Sequence, residues 1–500
     1  MPVTGLQQLL EGVLDRAPTS LALLGARESL TYRALADAAA AVAAGLHRQG
    51  VNPGDRVAWR LPNGEEALVL SLACYRIGAI SVPVNQRFTP AEITALVELV
   101  TPRLVVLPAA EVLADTDCAA AAGDRLVPWP DLLGAEPLPA VNGLPEDHPA
   151  LILFTSGSTG HPKAVVHSHR GCLAAIDSCR QALAFSERDV VLVGKPLSHA
   201  GGLHTQLLPS LQAGARVLLA TRPSPETAVS LINRHGVTEY GLLASDLLDF
   251  VDYLEASGVS LPSLRLVIGS GDTVPIDLQH RFQALFGWPV LEGCGLTEVG
   301  SYYAIQPLHG TRHPGSIGRA APGVELRILS STGTEEVPVG SIGEVAIRTS
   351  SATLGYWRNP AATEGLFRDG WLLSGDLAQR DADGTFWYRG RRKLVIVRRG
   401  SNVHPTEVEE QLDAHPAVHA AVVVGVPHPR DGAVPVAWIQ PNVVGEPVDG
   451  EVLGTWLAGR LAAYKRPITY LPIDALPRNG AGKFDRALLQ QRAIKTLAVQ

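Results

Sequence analysis

At 500 residues, 46% hydrophobic and 18% charged, the chain is long enough for roughly two to four domains with sizeable cores and too apolar to be disordered. A net charge of -7 without any basic run argues against a nucleic-acid partner. No apolar run reaches membrane-spanning length, and the start "MPVTGLQQLLEGVLDRAP" carries acids where a secretion signal is apolar.

Up to about residue 390 short apolar runs alternate with amphipathic segments. "DRVAWRL" predicts a strand, "EEALVLSLACYRIG" a helix and "AISVPV" a strand. "ALILF" and "AVV" predict two strands around the loop of "FTSGSTGHPKAVV". "DVVLVG", "ARVLLA", "PETAVSLINRHG", "LRLVIG" and "PIDLQHRFQALFG" continue the rhythm. This is the pattern of doubly wound α/β layers. From Gly315 it gives way to a β-rich subdomain ("GVELRILS", "GEVAIRT", "GTFWYRG"). A small α+β part of about a hundred residues follows, with strands in "AVVVGVP" and "AVPVAWIQ" and a helix in "GEVLGTWLAGRLAAYK". The basic stretch Arg391-Arg392-Lys393 is the expected boundary, giving a domain over 1–390 and a mobile one over 391–500.

The hydroxyl-rich loop carries chemistry. Gly157 and Gly160 let backbone N–H groups converge. Thr155, Ser156, Ser158 and Thr159 add hydroxyl donors, and Lys163 a mobile positive charge. Converging donors and a cation make a polyphosphate cradle. It is not the Walker type, because Lys163 follows Pro162, Ala164 replaces the Ser/Thr, and a strand follows. The histidines at 161, 167, 169, 199 and 204 form no compact tetrahedral zinc set in their spacing. Cysteines 74, 118, 172, 179 and 294 are too scattered for a disulfide framework, so a reducing cytoplasm is expected. Lysine is scarce beside arginine, which draws attention to the few in motif stretches.

Six stretches in order ("FTSGSTGHPKAVV", "PLSHAGG", "GCGLTE", "WLLSGDLA", "YRGRRKLVIVRRGSNVHPTEVEE" and "LPRNGAGKFDR") make nearly the whole chain resemble the adenylate-forming acyl- and aryl-CoA synthetases. That family is related to luciferases and carrier-loading adenylation domains. The resemblance implies a large N-terminal domain for ATP and acid and a small mobile C-terminal one. It implies Glu298 as the Mg2+-binding carboxylate, with Thr297 near the α-phosphate and Gly293, Cys294 and Gly295 in the same nucleotide-binding motif. Asp376 and Arg391 would hold the ribose, His199 would sit beside the acyl carboxylate, and Lys483 would span carboxylate and ATP oxygens. Gly400 would line the pantetheine tunnel, and Lys393 would be the pivot.

The chemistry fits such groups. Attack of a carboxylate on the α-phosphorus of ATP brings two anions together, so positive charge and positioning matter more than a strong base. One carboxylate plus phosphates suffices for magnesium, which keeps several waters.

Three positions depart from the family's usual pattern. Cys294 stands where a tyrosine offers adenine a stacking face, Leu394 follows Lys393 where an acid is common, and Ser198 precedes His199 where an aromatic often sits. The expected activity is ATP-dependent formation of an acyl-adenylate, then of an acyl-CoA thioester. Partners would be a small carboxylic acid and CoA or an acyl carrier protein, with a homodimer left open. Loading of a carrier protein, release of the adenylate, a luciferase-like oxidation and a non-catalytic nucleotide-binding role are the alternatives. Arg398 and Arg399 are candidates for the 3′-phosphate of CoA.

Overall fold

Apolar runs such as "VVLV" and "LVIG" are strands buried on both faces, as parallel strands between helical layers require. The computed structural model describes residues 5–498 apart from 26–27, 89, 110–121, 135, 156–162, 272–273, 331–334, 399–400, 429–430, 444, 447 and 480–481. Two large sheets build the N-terminal part. One has seven strands, ordered Gly355–Tyr356, Lys163–Ser168, Pro149–Thr155, Ile80–Pro83, Arg56–Trp59, Leu104–Leu107 and Leu126–Pro128. The other has nine: Arg319–Ala320, Ser301–Ile305, Leu291–Leu296, Leu266–Ser270, Glu239–Leu243, Val190–Val193, Arg216–Leu219, Leu21–Leu23 and Leu30–Thr31.

The order of the nine-stranded sheet positions the site. From Val190–Val193 the chain moves to its parallel neighbour Arg216–Leu219, then crosses back to Glu239–Leu243 on the other side. The strand order therefore reverses at Val190–Val193, the kind of switch point beyond whose carboxyl ends open α/β sheets bind their ligands. The segment Gly194 to His199 leaves the sheet at that point.

Helices begin and end where local chemistry directs. Pro225–His235 starts after Ser224, whose hydroxyl accepts the Thr227 N–H, and stops at Gly236 with φ 64°. His169–Leu183 starts after Ser168, whose hydroxyl accepts the Gly171 N–H at 3.0 Å. The helix expected in "GEVLGTWLAGRLAAYK" is shorter than its sequence suggests. It spans Gly450–Ala458 and stops at Gly459, and Ala463–Lys465 forms a separate 3-10 turn. Gly459 weakens the helix, and Leu461 then turns into the same core as Leu453 and Leu457.

The β-rich stretch forms a five-stranded sheet in which Trp371–Arg380 pairs with Ile342–Thr349 on one side and Phe386–Arg391 on the other. The next strand, Ile396–Arg398, belongs to a different five-stranded sheet with Ser401–Val403, Val418–His428, Gly432–Pro441 and Thr469–Pro472. Alternate residues of Val418–His428 serve two cores. Val423 packs with Val408 and Leu412, and Val422 and Val424 pack with Leu489 and Ala493. Among the described residues no helix is long and apolar enough to cross a membrane.

Candidate active site

The first group of site residues comes from a strand register. Trp371–Arg380 and Phe386–Arg391 run antiparallel with Asp376 opposite Arg391, and Arg391 Nε lies 2.7 Å from Asp376 Oδ1. Asp376 is 1% exposed. Its other oxygen, Oδ2, accepts the Tyr303 hydroxyl at 3.0 Å. Burial raises the pKa of Asp376, and Arg391 and the Tyr303 hydroxyl oppose that rise. Tyr303 also lies 2.9 Å from the Cys294 thiol. The single phenolic proton goes to the carboxylate, so the thiol donates to the phenol oxygen. Burial pushes the thiol up to about 12, which keeps that proton in place.

Gly293 and Gly295 permit this junction. A Cβ on Gly293 would lie 2.7 Å from the Tyr302 ring, and one on Gly295 would lie 2.5 Å from the Ser301 carbonyl oxygen. The strands Leu291–Leu296 and Ser301–Ile305 pack too closely there for side chains.

The second group surrounds Glu298. Thr297–Val299 is a 3-10 turn at the end of Leu291–Leu296. Glu298 Oε1 accepts the Tyr356 hydroxyl at 2.8 Å, and the Lys163 ammonium lies 4.6 Å from the centroid of the same Tyr356 ring. Tyr356 thus connects the two charges expected to face phosphate and magnesium. Lys163 pairs with Thr155 at the base of the hydroxyl-rich loop. Ser156, Gly157, Ser158, Thr159 and Gly160 lie outside the described residues.

Two histidines brace the turn from behind. His167 Nε2–H donates to the Thr297 carbonyl at 2.7 Å, and His204 Nδ1–H to the Gly300 carbonyl at 3.1 Å. Their rings meet edge to face, 6.0 Å apart. Burial holds His167 down at about 4 and His204 at about 3. No group of three metal-ligating side chains occurs among the described residues.

The third group joins the two parts of the chain. His199 caps a short helical turn, its Nδ1 accepting the Gly201 N–H at 2.9 Å, which leaves the ring proton on Nε2. Burial, then Lys483 and Lys195, push His199 down to about 4, so it is neutral at pH 7. Lys483 comes from the C-terminal part, in a tight turn closed by the Arg478–Phe484 bridge. The preceding residue of the turn, Gly482, comes close to Leu243 of the nine-stranded sheet: a Cβ there would lie 3.3 Å from it. Lys483 lies within electrostatic reach of His199, Asp376 and Cys294. Lys393 follows the strand Phe386–Arg391 in the turn Arg392–Leu394, and burial followed by Arg391 lowers its pKa.

Gly400 and Arg399 lie outside the described residues. Arg398 is engaged within its own part of the chain: it pairs with Asp431 at 3.4 Å and donates to the Tyr464 and Arg466 carbonyls. That differs from an arginine held open for the CoA phosphate.

The matching of these groups to known proteins is decisive. A family model described as "AMP-binding enzyme" matches residues 10–357, and one described as "AMP-binding enzyme C-terminal domain" matches 407–483. The chain belongs to the AMP-binding enzyme family. A feruloyl-CoA synthase from an Amycolatopsis species is 34% identical over 483 residues, 95% of this chain and 96% of the relative. The ATP-bound crystal structure of MatB from Rhodopseudomonas palustris superposes with a TM-score of 0.91 at 29% identity, covering 98% of this chain and 99% of that one. The anthranilate CoA ligase AuaEII in complex with anthranoyl-AMP gives 0.91 at 25% identity, over 99% and 98% of the two chains.

As an AMP-binding enzyme, the protein has Asp376, Arg391, Glu298, Lys163, His199 and Lys483 around one crevice. Sequence reasoning missed Tyr356 and Lys195, and it placed Tyr303 only within a stretch, Gly293 to Tyr303, expected to line the acid pocket, not against Asp376. Tyr356 stands in "LGYWRNP" between a glycine and a tryptophan, but nothing local ties it to Glu298. Tyr303 is signalled only by alternation in "SYYAI". Lys195 lies four residues before His199 and was a legible signal in a lysine-poor chain.

Proposed function

We propose that the protein condenses a carboxylic acid with ATP to give an acyl-adenylate and pyrophosphate, then passes the acyl group to the thiol of CoA. The observation that carries this is Lys483, brought from the C-terminal part to within electrostatic reach of both His199 and Asp376. An ammonium between the acyl and ribose ends of one crevice is what two anions need in order to meet. In the first step a carboxylate oxygen bonds to the α-phosphorus as the bond to pyrophosphate breaks. No proton moves, so no base is needed. His199, neutral at pH 7, adds no repelling charge and offers its Nε2–H to the acid. In the second step the thiol sulfur bonds to the acyl carbon, AMP leaves, and the thiol proton is released.

Thr155, Lys163 and the loop residues Ser156 to Gly160 cradle the phosphates. Asp376 and Arg391 hold the ribose, and Gly293, Cys294 and Gly295 lie along adenine. Glu298 with Thr297 fits magnesium: Oε1 of Glu298 accepts the Tyr356 hydroxyl, and Oε2 receives no hydrogen bond from a described residue, which leaves an oxygen to ligate. When bound, magnesium would neutralise charge on the transferring phosphates. Domains over 1–390 and 391–500 would alternate about Lys393, with Gly400 lining the path of the thiol.

Transfer to a carrier-protein thiol is the second reading, favoured by the internal engagement of Arg398. The unpaired thiols of Cys74, Cys172, Cys179 and Cys294 support a reducing compartment such as the cytoplasm. Pyrophosphate release across a panel of acids, with ATP and with or without CoA, tests the proposal. Acid-dependent release followed by CoA-dependent thioester is expected. Release without thioester would move the acceptor to a carrier protein.

A further inference from the structure

The chain has six lysines, and Lys195 is the one placed at the strand-order reversal, two residues after Val190–Val193. It is 2% exposed, yet its ammonium makes no hydrogen bond to a described residue. Burying a charge without a partner is costly, so this position needs an explanation. The side chain runs past the glycine turn that follows His199: a Cβ on Gly201 would lie 3.5 Å from Lys195 Cδ. His199 senses both Lys195 and Lys483.

Two further side chains in this region are buried with an unpaired polar atom. Gln206 donates from Nε2 to Glu239 at 3.2 Å, but its Oε1 has no partner among the described residues; the Tyr302 hydroxyl makes no close hydrogen bond among them, with the Thr205 and Ser270 hydroxyls its polar neighbours. Both residues are buried, and Glu239 is fully so. Gly241 gives Gln206 its room, since a Cβ there would lie 2.1 Å from Gln206 Nε2. The Tyr302 ring packs on Gly293, in the strand leading to Glu298.

We propose that Lys195, Gln206 and Tyr302 form the far wall of the acid pocket and select a carboxylic acid that carries a hydroxyl group at its distal end. This rests on the acid-activating reading above. Glu239 is the charge that Lys195 senses most, followed by Cys179 and Asp246. Burial lowers Lys195 and raises Glu239, and each opposes the other's shift. With Glu239 supplying the opposite charge, a second carboxylate would leave the cluster with a net buried negative charge. A hydrocarbon end would leave the ammonium and the amide oxygen without a hydrogen bond and place apolar surface against the phenol. A hydroxyl can accept from Lys195 Nζ and donate to Gln206 Oε1, which satisfies both.

The test uses the full-length protein, ATP and pyrophosphate release with matched acids: 4-hydroxyphenylacetate and phenylacetate, 4-hydroxycinnamate and cinnamate, 6-hydroxyhexanoate and hexanoate, with adipate as the dicarboxylate. In at least one pair the hydroxylated acid is expected to be preferred by roughly a hundredfold or more in kcat/KM, since a site built to bind a hydroxyl rejects the analogue lacking it. Lys195→Met should collapse that ratio to within about fivefold. Tyr302→Phe, which removes one oxygen, tests the same wall if Lys195→Met does not fold, and should lower the ratio at least threefold or so. Equal use of both members of every pair, preference for adipate, or a ratio that survives both substitutions would overturn the proposal. Absence of pyrophosphate release with any acid would instead overturn the acid-activating reading itself.

Discussion

The Asp376 end and the Lys483 end of the site hold their charges in opposite ways. Asp376 and Arg391 are paired across one sheet, and Tyr303 of a second sheet fastens them from the side. Lys483 instead sits on a small turn of another part of the chain, close to the N-terminal part through Gly482 and Leu243. A group needed throughout the reaction gains from being fixed, because its orientation then costs nothing at each step. A group needed for one step is better placed on an element that can leave.

The largest effect should come from separating the two ends. Lys483→Ala should slow adenylation by roughly two to three orders of magnitude, the scale for losing one preorganised stabiliser of transition-state charge. It should still convert synthetic acyl-adenylate and CoA to thioester. Asp376→Ala should damage both half-reactions. Equal loss of both halves in folded Lys483→Ala would mean that the turn never leaves the site.

Glu298 tests the fixed half at its phosphate side. Glu298→Gln should slow adenylation roughly ten- to a hundredfold and shift the magnesium dependence to higher concentration, because one formal charge is lost. Tyr356→Phe should give a smaller defect with the same magnesium signature, since it removes one hydrogen bond to Glu298 but leaves the carboxylate charge in place. Rates measured across a magnesium series would separate the two. A wild-type rate for Glu298→Gln at limiting magnesium would remove Glu298 from the metal site.

Acid should loosen the fixed half first. Burial holds His167, His169 and His199 at about 4 and His204 at about 3, all in the N-terminal part. Unfolded histidines titrate near 6.5, so at these sites the unfolded chain binds more protons between those values. The stability they contribute is fully present above pH 6.5 and is lost as pH falls toward 4. Each histidine costs about 1.4 kcal/mol per pH unit in that window, and Glu239 and Glu292, raised by burial, offset part of the loss. The melting temperature should drop steeply below pH 6.5, and His204→Gln should flatten the drop. Hydrogen exchange should show the Lys163–Ser168 and Ser301–Ile305 strands opening before Val418–His428. A flat profile down to pH 5 would contradict the buried neutral state.

The difference between the two ends also explains what was legible in the sequence. Short apolar strands and capped helices leave local signals, so Arg56–Trp59, Glu65–Arg76 and Pro225–His235 could be read from residues alone. Asp376 and Lys483 stood out because turns and glycines mark them. Tyr303 and Tyr356 did not, because they act through partners 73 and 58 residues away. The order of strands around Val190–Val193 was likewise invisible. It depends on which strands pair, and that gave Lys195 its place.

The smallest expected effect lies at the adenine side of the fixed half. Cys294 lies where the family usually offers an aromatic ring, and its thiol donates to Tyr303, which in turn donates to Asp376. Cys294→Tyr should add a stacking face, worth about 1–3 kcal/mol per base in nucleic-acid sites. It also removes the thiol donor, so Tyr303 loses one contact and part of that gain is offset. The net result should be a KM for ATP lowered a few-fold, with the order of acid preference unchanged. Cys294→Ser retains a donor and adds no ring, so its KM for ATP should stay near wild type. Steady-state kinetics of both variants against ATP and two acids would decide. If Cys294→Tyr changes which acid is preferred while leaving the ATP dependence alone, Cys294 belongs to the acyl pocket rather than to adenine. If Cys294→Ser weakens ATP as much as Cys294→Ala does, the sulfur itself contacts the nucleotide, and the fixed end reaches further into the site than its strand register implies.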